Sequence, residues 1–182
     1  VTARRITSLE DPAFGALFTG IERSWFRLET LQRYDVGYER EEYEAFVRGG
    51  PVDLAPGPWQ EMTRAHVAAG RTLARVHVLT EPLTVYARYE LATAYQRNSA
   101  AGEDIRIIAV PEGAPWPRGV PHLDYWLFDE QDVWLMAYDA DGRFLFTEQH
   151  NEDLSKAITY RDAAMSQSAP LAGYAPANRR AA

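Results

Sequence analysis

The segment between Glu81-Pro82 and Gly102 constrains this chain most. Leu83, Tyr86, Ala87, Glu90, Leu91, Ala94, Tyr95 and Asn98 recur there at i, i+3, i+4, i+7, i+8, i+11, i+12 and i+15. That spacing predicts one continuous helix over 83–98 whose apolar face carries a glutamate. Burying a carboxylate among tyrosines and leucines costs free energy unless it is paired or hydrogen-bonded, and without such partners its proton affinity rises. Arg27 and Arg75, each in the middle of a predicted strand, are the expected partners. Three readings of Glu90 stand side by side: an internal arginine–carboxylate tie fixing helix on sheet, a ligand or catalytic site, and a shift of helical register.

The elements around this helix are shorter. Asp11-Pro12 opens a helix to Thr19 in the manner of an N-cap followed by proline at the first helical position. Trp25–Glu29 reads as a strand with Phe26 and Leu28 on one face and Trp25, Arg27 and Glu29 on the other. Helices are expected over 38–47, ending at Gly49-Gly50-Pro51, and over 59–69. Strands follow over 71–80, with Leu73, Arg75, His77 and Leu79 on one face, and over 105–110. Three further strands over 125–128, 133–138 and 144–147 form an antiparallel meander, with Asp141-Gly142 the stronger hairpin signal. A helix over 152–165 precedes an Ala/Pro/Ser-rich stretch.

The expected fold class is therefore α+β, with a mixed or mainly antiparallel sheet and a C-terminal strand meander packed against helices. With 182 residues, 46% of them hydrophobic and 25% charged, the chain is expected to form a single domain over 1–165 with a flexible tail over 166–182.

The net charge of −7 and scattered arginines argue against direct nucleic-acid binding. The absence of cysteine excludes a disulfide framework and any thiolate chemistry. No leader or membrane-length apolar run is seen, so a cytoplasmic protein with no membrane association is expected. His66, His77, His122 and His150 form no pair at metal-ligand spacing, and there is no phosphate-binding glycine loop and no nucleophile elbow, so neither a metal nor a cofactor is indicated.

Trp25, Tyr86, Tyr95, Tyr125 and Trp126 are candidate aromatic walls for a pocket centred on Glu90, although such residues equally build cores. His77 shares the strand face of Arg75 and is a candidate general base. Asp124 and Asp129 bracket one strand on opposite faces, and Glu103 is expected to do no more than cap or solubilise a turn.

Several separated motifs carry a family resemblance. They are Arg27-Leu28-Glu29 with Tyr34-Asp35-Val36, Glu81-Pro82-Leu83 with Tyr86 and Tyr89-Glu90-Leu91, Asn98 with Ala101–Arg106, and Asp124–Asp129. In order and wording the chain resembles, over about 26–139, the actinobacterial domain-of-unknown-function family DUF6879. The resemblance implies a regulatory setting, with a helix-turn-helix protein as partner, and carries no assigned catalytic roles. One departure is Val85, which stands where the family commonly has an acidic residue.

The leading expectation is a small-molecule binding or regulatory domain of unknown ligand, with ligand-binding candidates Arg27, Glu29, Arg75, Tyr86, Glu90, Tyr95, Asp124 and Trp126. An alternative is an enzyme in which Glu90 or His77 moves a proton and Arg27 or Arg75 steadies an anion. A protein-interaction module is the third.

Overall fold

In the computed structural model, which describes residues 4–174, the two faces of the strand over Ser24–Glu29 (β2) are put to different uses. Phe26 and Leu28 enter an aliphatic core with Val76, Val78, Ile108 and Leu127, covered by Ala157 and Ala164. Trp25 enters an aromatic cluster on the opposite face with Phe18, Trp126 and Trp134. Arg27 and Glu29 share Trp25's side of the pleat, so the centre of that face is charged.

Among the described residues eight strands form one sheet in the order β1-β7-β6-β5-β2-β3-β4-β8. They are β1 (Arg5–Ile6), β2, β3 (Thr72–Thr80), β4 (Asp104–Val110), β5 (Asp124–Phe128), β6 (Asp132–Tyr138), β7 (Phe144–Gln149) and β8 (Ala169–Pro170). Only β2/β3 and β3/β4 pair in parallel; the other neighbours are antiparallel. The fold is α+β with a mixed, mainly antiparallel sheet, and β5–β6–β7 is the expected meander. Two parallel crossovers also occur, β2 to β3 through the helices Arg40–Val47 and Pro58–Ala68 and β3 to β4 through the helices Val85–Ala92 and Ala94–Ala100, and strand pairing of this kind is not carried by the periodicity of the separate segments.

Helix α6 (Leu154–Gln167) lies on the aliphatic face. On the other face are α1 (Pro12–Thr19), α2 (Arg40–Val47), α3 (Pro58–Ala68), α4 (Val85–Ala92) and α5 (Ala94–Ala100). The helix expected over 83–98 is in fact α4 and α5, broken at Thr93 (φ −120°, ψ −91°). The Thr93 hydroxyl donates to the Tyr89 carbonyl, a local bond that favours leaving the helix. The stripe survives the break: Leu83, Tyr86, Ala87, Glu90, Tyr95 and Asn98 are all buried.

Residues 166–174, expected as the start of a flexible tail, are built into the fold. α6 runs to Gln167, and Ala169–Pro170 add to the edge of β4, where Arg106 donates to the Ser168 carbonyl. The remainder of that stretch, 175–182, lies outside the described residues. No described helix is long and apolar enough to cross a membrane.

Two turns set the meander. Asp129 and Glu130 both have positive φ (54° and 57°), the requirement of a type I′ hairpin. The Asp129 carboxylate also accepts the backbone N–H groups of Glu22, Arg23 and Ser24 at 2.9, 2.7 and 2.8 Å, which ties the turn to the start of β2. At the other turn Gly142 (φ +82°) accepts the Asp35 N–H at 2.9 Å and so holds the loop that follows β2.

Candidate functional site

β2, β3 and β5 carry the charged centre of the helical face. Glu29, the last residue of β2, accepts from Arg75 Nη1 at 2.7 Å and Arg27 Nε at 3.4 Å through Oε1, and from the Tyr95 hydroxyl at 2.8 Å through Oε2. Arg27 Nη2 donates to Asp124 Oδ2 at 2.9 Å and to the Tyr138 hydroxyl at 3.0 Å. Arg75 Nε donates to Glu103 Oε1 at 3.2 Å. Both guanidinium groups approach the Trp126 ring, at 5.2 and 5.5 Å from its centroid.

Glu103 is thus a buried partner of Arg75, not a solubilising turn residue. The expected pairing of Glu90 with Arg27 or Arg75 is also corrected, because Glu29, Asp124 and Glu103 take up those arginines.

Glu90 reaches this centre from α4 with 6% exposure, and its Oε2 has no hydrogen-bond partner. His77 Nδ1 lies 3.6 Å from that oxygen. Burial pushes the Glu90 carboxyl well above its ordinary range, and the nearby Glu29 and Glu39 carboxylates add to the effect. Glu29 goes the other way: burial opposes its ionisation, but Arg75 and Arg27, with the Tyr95 hydrogen bond, hold it well below the usual range. Two neighbouring carboxyls therefore differ in protonation, which is how like charges share a buried site.

His77 makes the proton arrangement explicit. Its Nε2 lies 2.7 Å from the Leu31 carbonyl and so carries a proton, which leaves Nδ1 of the neutral ring as an acceptor. Nδ1 lies 2.6 Å from the Tyr95 hydroxyl, whose single proton also faces Glu29 Oε2. One proton cannot serve both acceptors, so the cluster needs a second. Burial lowers the affinity of His77 for that second proton and raises the affinity of Glu90 for its own, while Glu90 Oε2, 3.6 Å from His77 Nδ1, stands outside hydrogen-bond reach of the contact.

The loop after β2 closes one end of the cluster. Asp124 Oδ1 accepts the Thr30 N–H and hydroxyl, each at 2.8 Å, and Oδ2 accepts the Tyr34 hydroxyl at 2.5 Å. Helix α2 and the residues leading into it form another wall, fastened to α4 and α5 by polar contacts. Tyr86 donates to Glu39 at 2.8 Å, Tyr89 to Glu42 at 2.7 Å, and Arg97 forks onto both oxygens of Glu42 at 2.7 and 2.9 Å.

Between these walls is a cavity of about 390 Å³. Of the residues singled out from the sequence, Arg27, Glu29, Arg75, Tyr86, Glu90, Tyr95 and Trp126 line it. Asp124 and His77 sit one layer behind, bonded to Arg27 and Tyr95. Tyr125 faces α6 and donates to the Ala157 carbonyl, and Trp25 stacks on Trp59 at 5.3 Å within the aromatic cluster, so both belong to packing. Val85 is exposed (39%) at the start of α4, so its departure from the family pattern leaves the cavity wall unchanged.

Glu39, Trp59, Asn98 and Tyr138 also line the cavity. Asn98 was legible as a stripe position. Glu39 was not, because it is one of several glutamates around a short helix and only the tertiary contact with Tyr86 selects it. Away from the cavity, His150, Glu152 and Asp153 bring ligand atoms within 4.8 Å of one another at the surface, a grouping that spacing alone had not suggested.

The family model described as Domain of unknown function (DUF6879) matches residues 12–176. The chain belongs to that family. Comparison with curated proteins finds no match. Among solved structures, this DUF6879 chain is similar to the phospholipase D family member Nuc from Salmonella typhimurium, with 9% identity and a TM-score of 0.53 over 93% of this chain and 97% of that one. It is also similar to NucT from Helicobacter pylori, with 10% identity and a TM-score of 0.50 over 93% and 98%. A third likeness, to phosphatidylserine synthase from Haemophilus influenzae Rd KW20, has 8% identity and a TM-score of 0.51 and covers 92% of this chain but 39% of the other. At these identities the likeness concerns the fold alone.

Proposed function

We propose that this chain is a small-molecule binding domain whose ligand enters the cavity beside Glu90. One observation carries the reading: a buried carboxyl with an unpartnered oxygen lines a cavity of about 390 Å³ with aromatic walls. A volume of this order with a few convergent polar groups is the usual form of a small-molecule site. A purely structural carboxyl would be expected to have recruited one of the two adjacent arginines.

The enzyme alternative has less support. Its anion-stabilising arginines are bonded to Glu29, Asp124 and Glu103, which leaves Arg27 Nη1 as the unpartnered guanidinium nitrogen for a reacting group.

A thermal-shift screen against a metabolite library tests the reading, with Ala94→Phe, which places a ring into the lining, as the control. At least one compound should stabilise the native chain, by about 2.7 kcal/mol at a hundredfold excess over Kd, and should lose that effect in the variant. The reading falls if no compound stabilises the protein, or if stabilisation survives the filled cavity.

A further inference from the structure

The charges around the cavity are unequal. Arg27 and Arg75 meet three buried carboxylates, those of Glu29, Asp124 and Glu103, before any other group is counted. Arg97 and Glu42 form a pair of their own at the rim. Glu90 and Glu39 then add two carboxyls on the lining, the first with an oxygen lacking any partner and the second bonded to the Tyr86 hydroxyl. With Asp124 and Glu103 behind the wall, carboxyls outnumber guanidinium groups around the cavity.

An anionic ligand would find one unpartnered guanidinium nitrogen, Arg27 Nη1, but would otherwise compete with carboxylates already bonded to Arg27 and Arg75, and would bring its charge beside Glu39 and hold Glu90 in its neutral form. A cationic donor would supply what the cluster lacks. Around these acids the lining is aromatic, with Trp59, Tyr86, Tyr95 and Trp126 offering π faces that also favour positive charge.

Resting on the binding-domain reading above, we infer that the ligand is an organic cation: a protonated amine on a flat apolar body, with its N–H groups on Glu90 and Glu39 and its body against the aromatic wall. On binding, the ammonium takes the place of the proton that Glu90 otherwise holds, and that proton leaves to solvent. Glu90 becomes an ionised acceptor for a charge-assisted hydrogen bond.

The test is calorimetric titration of the intact chain with phenethylamine and tryptamine, beside phenethyl alcohol and 3-phenylpropionate as neutral and anionic counterparts. The amines are expected to bind at least about tenfold more tightly than either counterpart, and E90Q to weaken them by about tenfold or more. Amine binding should also release protons in proportion to the Glu90 that ionises, seen as a dependence of the heat on buffer. E39Q, at the half-buried rim, is expected to weaken the amines by a smaller factor, and it provides a second reading should E90Q fail to fold.

Equal or tighter binding of the alcohol or the propionate overturns the inference, as does unchanged amine affinity in both variants. If acids or neutral compounds bind and Ala94→Phe abolishes them, the cavity reading stands and only the cation is wrong. If the amines fail and the metabolite screen is also empty, both fall.

Discussion

Replacing Arg27 with methionine is expected to lower the free energy of unfolding by about 3–5 kcal/mol, the range for removing one partner from a buried ion pair. Arg27 is 2% exposed and reaches Asp124, Glu29 and Tyr138 at once. Methionine fills much of the volume but donates nothing, so Asp124 keeps only the Thr30 and Tyr34 donors and Glu29 leans on Arg75 and Tyr95. Denaturant unfolding measures the loss. Pairing the substitution with Asp124→Leu should recover part of it, because the stranded charge goes too. A loss below about 1 kcal/mol would mean that solvent reaches the site freely and that the network is not buried.

Gly142→Ala should cost about 3 kcal/mol, a large effect for one methyl group, since positive φ strain and steric conflict add. Gly142 has φ +82°, and a Cβ there would collide with the Arg33 carbonyl oxygen while lying 3.1 Å from Tyr34 Cα. Relief would push away the loop that brings Tyr34 to Asp124 and the Leu31 carbonyl to His77. The substitution is therefore expected to raise amide exchange across 30–36 as well as to lower the unfolding midpoint. Unchanged exchange in that loop would show that the hairpin and the charged centre are uncoupled.

How far these features can be read from the sequence depends on the range over which each is determined. The strand faces were legible because alternation is local: Trp25, Arg27 and Glu29 had to share a side whatever lay above them. The buried stripe was legible for the same reason, and it placed Glu90 inward. The break at Thr93 was not, because helical periodicity runs unperturbed across it and the deciding bond to Tyr89 is one hydroxyl's choice.

Partner choice was the least accessible. Arg27 and Arg75 lie in adjacent registered positions on β2 and β3, yet neither strand's sequence reveals that Glu29 sits between their guanidinium groups. Glu103 looked like part of a polar turn, and only the parallel pairing that sets Arg75 beside Ile105 brings it within reach. Asp129 was read as one of two strand-flanking acids. Its work in holding three backbone N–H groups depends on residues more than a hundred positions earlier.

The account turns on whether Glu90 is a carboxyl without a protein partner on the cavity wall. The groups facing it are Arg27 and Glu29 from β2, Arg75 and His77 from β3, Tyr86 from its own helix, Tyr95 from α5 and Glu39 from the far wall. Its proton affinity is raised in the folded state, so the native chain binds more protons than the unfolded one, and Glu90 costs stability as pH climbs above the ordinary carboxyl value of 4.5. Below that value both states are protonated and the cost vanishes.

E90Q cannot ionise and escapes this cost. The decisive measurement is the difference in unfolding free energy between E90Q and the native chain, both ligand-free, from about pH 4 to about pH 8. The difference is predicted to move in favour of E90Q as pH rises, with a slope approaching about 1.4 kcal/mol per pH unit while Glu90 stays protonated in the fold. A flat difference, or one favouring the native chain at neutral pH, would mean that Glu90 is ionised and satisfied within the protein, and would contradict the account.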